Sequence, residues 1–405
     1  MKNVYQSILV LVLLSLVHYS HAQDWQFLNS GTTSQLHSVF FKNADTGFVV
    51  GMNGTLLKTV DGGLNWTPQP VPTAASLYSI AFPDPSTGYI AGDSGIILKT
   101  TNGGISWIKK YAGFVTYLSS VYFVNSTTGY AVGGKNLKTT DGGITWNNTP
   151  LGNGQYPESV YFTDSLTGYI AGSFHGELGL ILTTTDGGIT WNSQSVNVNC
   201  PLHSAYFTGG DTGIIVGGYY IGCWAILRTI NGGSDWNEIT TGNGGDGYSS
   251  VYFPGRNKGY IVGESGVIKR SSDGGSTWQN LYSGTAMTLY SVHFPDSLTG
   301  YAAGDSGTIL KTINGGGVGI SERLKKNNVE IYPNPATDKI NISVHWISPG
   351  EILLSIIKIT GEQVMQQRFM NQPLIMMNLR NITKGIYLVK IQSQSEIEVK
   401  KLVIQ

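Results

Sequence analysis

A nine-residue signature built on two adjacent glycines and a closing tryptophan recurs along this chain. It reads KTVDGGLNW (58–66), KTTNGGISW (99–107), KTTDGGITW (138–146), TTTDGGITW (183–191), RTINGGSDW (228–236) and RSSDGGSTW (270–278). A seventh copy, KTINGGGVG (311–319), lacks the tryptophan, and Trp25 stands alone near the start. From Trp25 to Trp278 the spacings are 41, 41, 39, 45, 45 and 42 residues. Self-similarity at about 40 residues marks a repeat architecture whose units bury their faces only by stacking on one another.

Each unit holds two short β-rich runs, as in LYSIAF (77–82) and TGYIAG (87–92), separated by Pro, Asp and Ser. A third run, GIILKT (95–100), leads into the glycine turn, and a fourth begins at the tryptophan. Four short strands per unit, with no helical periodicity, are the arithmetic of a β-propeller blade. The seventh turn has no strand after it, whereas Trp25 begins a strand with no blade before it. Trp25 lies 11 residues before Leu36, as Trp66 does before Leu77 and Trp107 before Leu118. The fold expected is therefore all-β: a seven-bladed propeller whose N-terminal strand completes the last blade and removes an open sheet edge. The 54 glycines and a charged fraction of only 12% suit such a turn-rich chain.

In the turn, Asp61, Asn102, Asp141, Asp186, Asn231, Asp273 and Asn314 can each bond downstream backbone amides, and glycine supplies positive φ. The tryptophan is expected in the seam between sheets with its N–H satisfied locally. A calcium or phosphate loop would tolerate the Asn replacements poorly, so the role expected is structural and no metal site is assigned. The signature resembles the Asp-box (BNR) repeat in the form found in photosystem II stability/assembly factor-like propellers, over nearly all of 36–317. That resemblance implies the fold. It leaves function open, because sialidases, xyloglucan-cleaving glycosidases, sortilin-type receptors and assembly factors share the box.

At the N-terminus, Lys2, the apolar run SILVLVLLSLV (7–17) and SHA (20–22) read as a signal peptide over 1–22. The run is short for a membrane span, and no transmembrane anchor is expected. The propeller is assigned to 23–320. Residues 321–405 form a linker and a small β-sandwich, from the alternating runs VEIYPNPATDKINISV (329–344), EILLSIIKITGEQV (351–364) and GIYLVKI (385–391). YPNPATDKINI (332–342), Gly361 in KITGEQV and KGIYLVKI (384–391) resemble the C-terminal sorting domain (type A) of the type IX secretion system of Bacteroidota. The resemblance implies a partnership with that machinery and an extracellular or outer-surface location. Residues 23–320 carry 13 Lys+Arg against 18 Asp+Glu, a net −5, which argues against nucleic acid as a partner.

No catalytic constellation stands out. A sialidase-like carboxylate clamp needs three converging arginines. The propeller has only Arg228, Arg256 and Arg270, and Arg228 and Arg270 occupy the position held by Lys58, Lys99, Lys138 and Lys311 in other units. A glycosidase needs two carboxylates across a cleft. Asp93, Glu264 and Asp305 occupy equivalent second-to-third-strand turns, where an inert turn acid is the expected role. No Ser-His-Asp order, HExxH or CxxC pattern appears, and no cofactor is expected.

In a propeller blade the second-to-third and fourth-to-first connections share one face. Two neighbouring blades lengthen the former, as GSFHGELG (172–179) and GGYYIGCWA (217–225). These insertions place Phe174, His175, Glu177, Tyr219, Tyr220 and Trp224 on the loop face as a candidate ligand patch. The alternative is that they cap the insertion. Cys200 and Cys223 fall on the same face, where a disulfide would pin the loop and a metal pair is the other choice. The function expected is a non-enzymatic binding or scaffold module for a protein or polysaccharide. The alternative is a polysaccharide-active glycoside hydrolase of sialidase-like or xyloglucanase-like type.

Overall fold

The computed structural model describes residues 25–196, 198–219, 223–239, 247–316, 329–344, 351–358, 362–370, 372, 374–392 and 397–405. The signal-peptide assignment, Tyr220 and Gly361 lie outside them. The chain divides into two compact units, Met1–Gly319 and Ile320–Gln405.

Among the described residues, the first unit contains seven four-stranded antiparallel sheets. Six are sequential meanders, as in Leu36–Phe41, Gly47–Gly51, Leu56–Thr59 and Thr67–Pro68. In the seventh, Leu289–His293, Gly300–Gly304 and Ile309–Thr312 are followed in space by the N-terminal strand Gln26–Leu28. It pairs Gln26 with Lys311, Phe27 with Leu310 and Leu28 with Ile309. The burial pattern explains the sequence pattern: the second strand of a blade is buried along its whole length, while the first alternates between the seam and the axis.

Each of the seven repeat tryptophans packs edge-on against the phenylalanine that ends its own blade's LxSVxF-type run. Phe41–Trp66, Phe123–Trp146 and Phe253–Trp278 stand 5.9–6.0 Å apart at 82–88°. Trp25 makes the same contact with Phe294 of the seventh blade at 5.9 Å and 89°. The expected local partner for the indole N–H is found only at Trp278, which donates to the Gly275 carbonyl at 3.2 Å. The Nε1 atoms of Trp25, Trp66, Trp107, Trp146, Trp191 and Trp236 are buried without a partner, which corrects that expectation. The edge-on ring contact, not a hydrogen bond, sets the indole's orientation.

The glycine turn is a hydrogen-bonded cage. In the third blade, the Thr139 hydroxyl donates to Asp141 Oδ1 (2.8 Å) and accepts from the Gly143 amide (2.9 Å). The Asp141 carboxylate accepts from the Ile144 and Thr145 amides and from the Thr145 hydroxyl. Gly142 and Gly143 sit at φ 68° and 76°, and a Cβ on Gly143 would lie 3.0 Å from the Tyr89 ring. The Asp/Asn alternation follows its partner four residues on. Asp61 accepts from the Asn65 amide group, whereas Asn102 and Asn231 donate through Nδ2 to Ser106 and Asp235.

The repeated cation ties blades together. Lys99, Lys138 and Lys311 donate to the carbonyls of Gly142, Gly187 and Gly62 in the next blade's turn, at 2.6, 2.6 and 2.7 Å. Arg228 Nε donates likewise to Gly274 at 2.9 Å. Tyr89, Tyr130 and Tyr301 add hydroxyl donors to the same three glycine carbonyls. Lys311 and Tyr301 belong to the seventh blade and Gly62 to the first, so these bonds join the two ends of the repeat array.

The C-terminal unit is a sandwich of a three-stranded sheet and a four-stranded sheet. Its core holds Ile340, Ile342, Leu354, Ile356, Val389, Ile391 and Leu402. Within the YPNPATDKINI run, Asn334 clamps the last strand: its Nδ2 donates to the Lys401 carbonyl (2.7 Å), and its Oδ1 accepts from the Val403 amide (2.9 Å).

Candidate functional site

The innermost strand of every propeller blade carries the same irregularity. Pairing with the second strand slips by one residue between Leu36 and Ser38, and between Leu77 and Ser79, Leu118 and Ser120, Pro157 and Ser159, Leu202 and Ser204, Tyr248 and Ser250, and Leu289 and Ser291. The residue inside each slip has no cross-strand partner, and a bulge re-aims the side chain it releases. The seven released residues are His37, Tyr78, Ser119, Glu158, His203, Ser249 and Tyr290. All seven line one cavity of about 500 Å³ at the axis, with Tyr117, Gly218, Glu264 and Thr288. That volume lies within the range of small-molecule and side-chain sites.

The serine after each bulge locks the ring. Ser38, Ser79, Ser120, Ser159, Ser204, Ser250 and Ser291 each accept, through Oγ, a backbone N–H of the next blade's first strand, at 3.1–3.4 Å. Three residues beyond the bulge, about 10 Å along a strand, the axis fills with aromatics. Tyr122, Tyr161, Tyr206, Tyr252, His293 and Phe40 contact in succession, with centroids 4.8–5.3 Å apart. Burial pulls His293 down to about 3, so its ring is neutral, and Nδ1 accepts the Phe41 amide.

The bulged ring has two unlike sides. On one, the His37 ring lies between Tyr78 and Tyr290, at 5.0 and 5.3 Å. The Tyr78 hydroxyl donates to Asp93 Oδ2 (3.0 Å) and the Tyr290 hydroxyl to Asp305 Oδ1 (3.1 Å), with Gln35 Nε2 also donating to Asp305. Burial holds His37 below the usual histidine range despite both acids. On the other side stands Glu158, whose carboxyl has no hydrogen-bond partner among the described residues; burial pushes it up to about 7. Its neighbour His203 is also lowered by burial. Glu264 accepts the Gly247 amide at 3.1 Å. Of the three acids singled out from sequence, Glu264 lines the cavity, while Asp93 and Asp305 stand behind its Tyr78 and Tyr290 and accept their hydroxyl protons.

Next to Glu158, Tyr117 lines the mouth and is 38% exposed, and Tyr156, whose phenol lies near that of Tyr117, is 46% exposed. The insertions become long hairpins instead of free loops, Gly168–Phe174 with Leu178–Thr184 and Gly213–Tyr219 with Cys223–Thr229. Phe174 is half-buried against His175 (4.3 Å), and His175 and Glu177 are exposed. Trp224 pairs with Gly218 and packs half-buried on the seam between the fifth and sixth blades. The backbone of Tyr219 ends its strand. Cys200 and Cys223 are free thiols side by side. Cys223 Sγ donates to the Asn199 carbonyl at 3.4 Å, and burial, then Cys223 itself, pushes the Cys200 thiol up. Among the described residues no cluster of three or more metal-ligating side chains occurs. Phe174, His175, Glu177 and Trp224 are not among the residues lining the axial cavity, whose described walls come from the bulged ring that sequence reasoning passed over. A faint signal was there to read: within the L-x-S run the serine is constant and the first residue is leucine in five blades, while the middle residue runs through His, Tyr, Ser and Glu.

Residues 17–111 and 65–157 match the family model described as photosynthesis system II assembly factor YCF48, and residues 330–405 match the secretion system C-terminal sorting domain. No curated protein matches the chain in sequence. Among solved structures, "YCF48 bound to D1 peptide" is 21% identical with a TM-score of 0.60, covering 72% of this chain and 97% of that one. YCF48 from Cyanidioschyzon merolae is 21% identical with a TM-score of 0.58, covering 71% and 98%. The WD40 propeller of Doa1 is 13% identical with a TM-score of 0.56, covering 71% and 94%. Among the described residues no helix is long and apolar enough to cross a membrane. Residues 17–157 thus resemble the YCF48-type assembly factors, the fold of the first unit is that of a β-propeller, and the sorting-domain match at 330–405 indicates secretion or surface export.

Proposed function

We propose that the exported propeller is a non-enzymatic binding module that takes a segment of a protein, or of a glycan, across the mouth of its axial cavity. The observation that carries this reading is the cavity itself, walled by seven bulged residues, with the exposed Tyr117 among its lining and Tyr156 close to that phenol. Aromatic and aliphatic groups exposed around a concave site are the usual anchors of a macromolecular partner. Phe174, His175 and Glu177 extend the rim, and a Cys200–Cys223 bridge formed outside the cell would fix the hairpin beside it. The similar propeller YCF48 has been solved bound to D1 peptide, which favours a peptide over a glycan here. Export through the type IX machinery would present the mouth to partners outside the cell.

One observation favours a second reading. Glu158, held near neutrality by burial, has the property of a general acid, and Glu264 lines the same cavity. The test is the full chain against arrays of peptides and polysaccharides, with mass spectrometry of the mixtures. Retention without products supports the binding module. Cleavage that disappears in Glu158→Gln replaces it with the hydrolase.

A further inference from the structure

We propose that the axial cavity is a receptor for a protonated primary amine on an alkyl stem, the chemistry of a lysine side chain. This rests on reading the mouth as a binding face and names what enters it.

The walls combine carboxylates with phenol rings and hold no counter-charge. Glu158 and Glu264 line the cavity, and no lysine or arginine is among the lining residues. The two histidines that line it are held below their usual range by burial and do not supply positive charge at neutral pH. Tyr78 and Tyr290 donate their hydroxyl protons to Asp93 and Asp305, which leaves electron-rich phenols facing the axis with two further carboxylates behind them. A cation over a tyrosine face and beside a carboxylate is favoured by both, more so where water is partly excluded. The alkyl stem of such a ligand would run past Tyr117 and Tyr156 at the rim.

Glu158 gives the proposal its pH dependence. The groups that face it are the Tyr117 phenol, itself close to that of Tyr156, Ser119 and His203 on neighbouring blades, and Glu264 and His37 in the same cavity. Its raised pKa has burial as its cause, with no bonded partner. An ammonium beside it would stabilise the ionised form, so binding below neutrality must expel a proton. Affinity therefore falls with acid, about tenfold from pH 8 to pH 6 for one linked proton near pH 7.

The experiment is calorimetric titration of the full chain with acetyl-Gly-Lys-Gly-amide, its norleucine counterpart and pentane-1,5-diamine, at pH 6, 7 and 8. The lysine peptide should bind, the norleucine peptide should not, and Glu158→Gln should weaken binding about tenfold and flatten the pH profile. Binding of the diamine alone keeps the ammonium chemistry and assigns a free amine as its source. Equal binding of both peptides, a flat wild-type profile, or no binding by either amine overturns the proposal. The wild-type pH profile decides even if the variant folds poorly. Peptide or glycan retention on the arrays with no amine preference would leave the binding module standing and refute only the cavity's assignment.

Discussion

Trp25→Ala tests whether the N-terminal strand belongs to the seventh blade in solution. Trp25 is fully buried, edge-on to Phe294 (5.9 Å) and Tyr260 (6.5 Å), in a cluster with Val262, Ile268, Leu289 and Leu310. Its indole N–H has no partner, so the substitution removes no hydrogen bond and the cost is packing alone. Emptying a site of that size costs about 3–5 kcal/mol, and the paired rings put it toward the upper half. For a unit of this size the melting temperature should drop by about 5–8 °C. Trp66→Ala is the internal control, because Trp66 holds the same position in the first blade on an uninterrupted chain and is 9% exposed. Thermal and urea unfolding of the full chain, followed by circular dichroism, reads both variants. Closure by the terminal strand requires Trp25→Ala to cost at least as much as Trp66→Ala. A near-neutral Trp25→Ala beside a costly Trp66→Ala would mean that the strand is frayed, and the reasoning fails.

Other substitutions probe the turn, its cation and the site. Asn231→Asp sets a new carboxylate against Asp235 in place of the present 2.9 Å bond, and should cost about 1 kcal/mol at pH 7 with recovery near pH 3; equal stability at both pH values would contradict the partner argument. Tyr130→Phe should cost only about 0.5–1 kcal/mol in urea unfolding, because Lys138 still satisfies the Gly187 carbonyl. Asp61 and Asp141 are held at about 2, chiefly by bonds from Asn65 and Thr145, so their contribution is present above the ordinary aspartate range and lost as pH falls from about 4 toward 2; Asp141→Asn should flatten that slope. Glu158 has the opposite sign: its raised pKa means stability is lost as pH rises from about 4.5 to 7, by about 3 kcal/mol. Glu158→Gln should therefore gain on wild type across that window in pH-dependent melting, and parallel curves would show the carboxyl to be solvated.

Blade organisation was legible because the repeats act as their own alignment. The spacing from Trp25 to Leu36 sufficed to place the terminal strand, and the recurring lysine before the turn showed itself as architecture. The indole N–H was misjudged because sequence does not reveal that the first-glycine carbonyls are already taken by Lys and Tyr of the preceding blade, as at Gly62, Gly142 and Gly187. The insertions read as free loops because glycine and aromatic residues signal irregular chain. The ladder instead continues through Gly217–Ala225 and Gly218–Trp224, and that alternation turns Trp224 into the seam. The axial ring stayed hidden since the bulge that re-aims the variable middle residue of the L-x-S run is not itself visible in a six-residue run.

The two faces of the propeller divide the work, and the repeat shows how. On the turn face, each variable position is compensated locally, as Asn231 is by Asp235, so the seven turns are interchangeable structural units. At the axis, Leu and Ser flank the bulge in most blades and bond one blade to the next, while the bulged residue runs His, Tyr, Ser, Glu, His, Ser, Tyr. No blade–blade contact depends on that residue being alike in every unit, so its chemistry is free to differ, and it differs with polarity: phenols tied to carboxylates on one side, a lone carboxyl on the other. A purely structural axis would have no use for a half-buried carboxyl without a hydrogen-bond partner, since its partial desolvation costs free energy that serine at the same position would avoid. That cost at Glu158, in a cavity already open to the mouth, is the strongest physical reason to look for a ligand there.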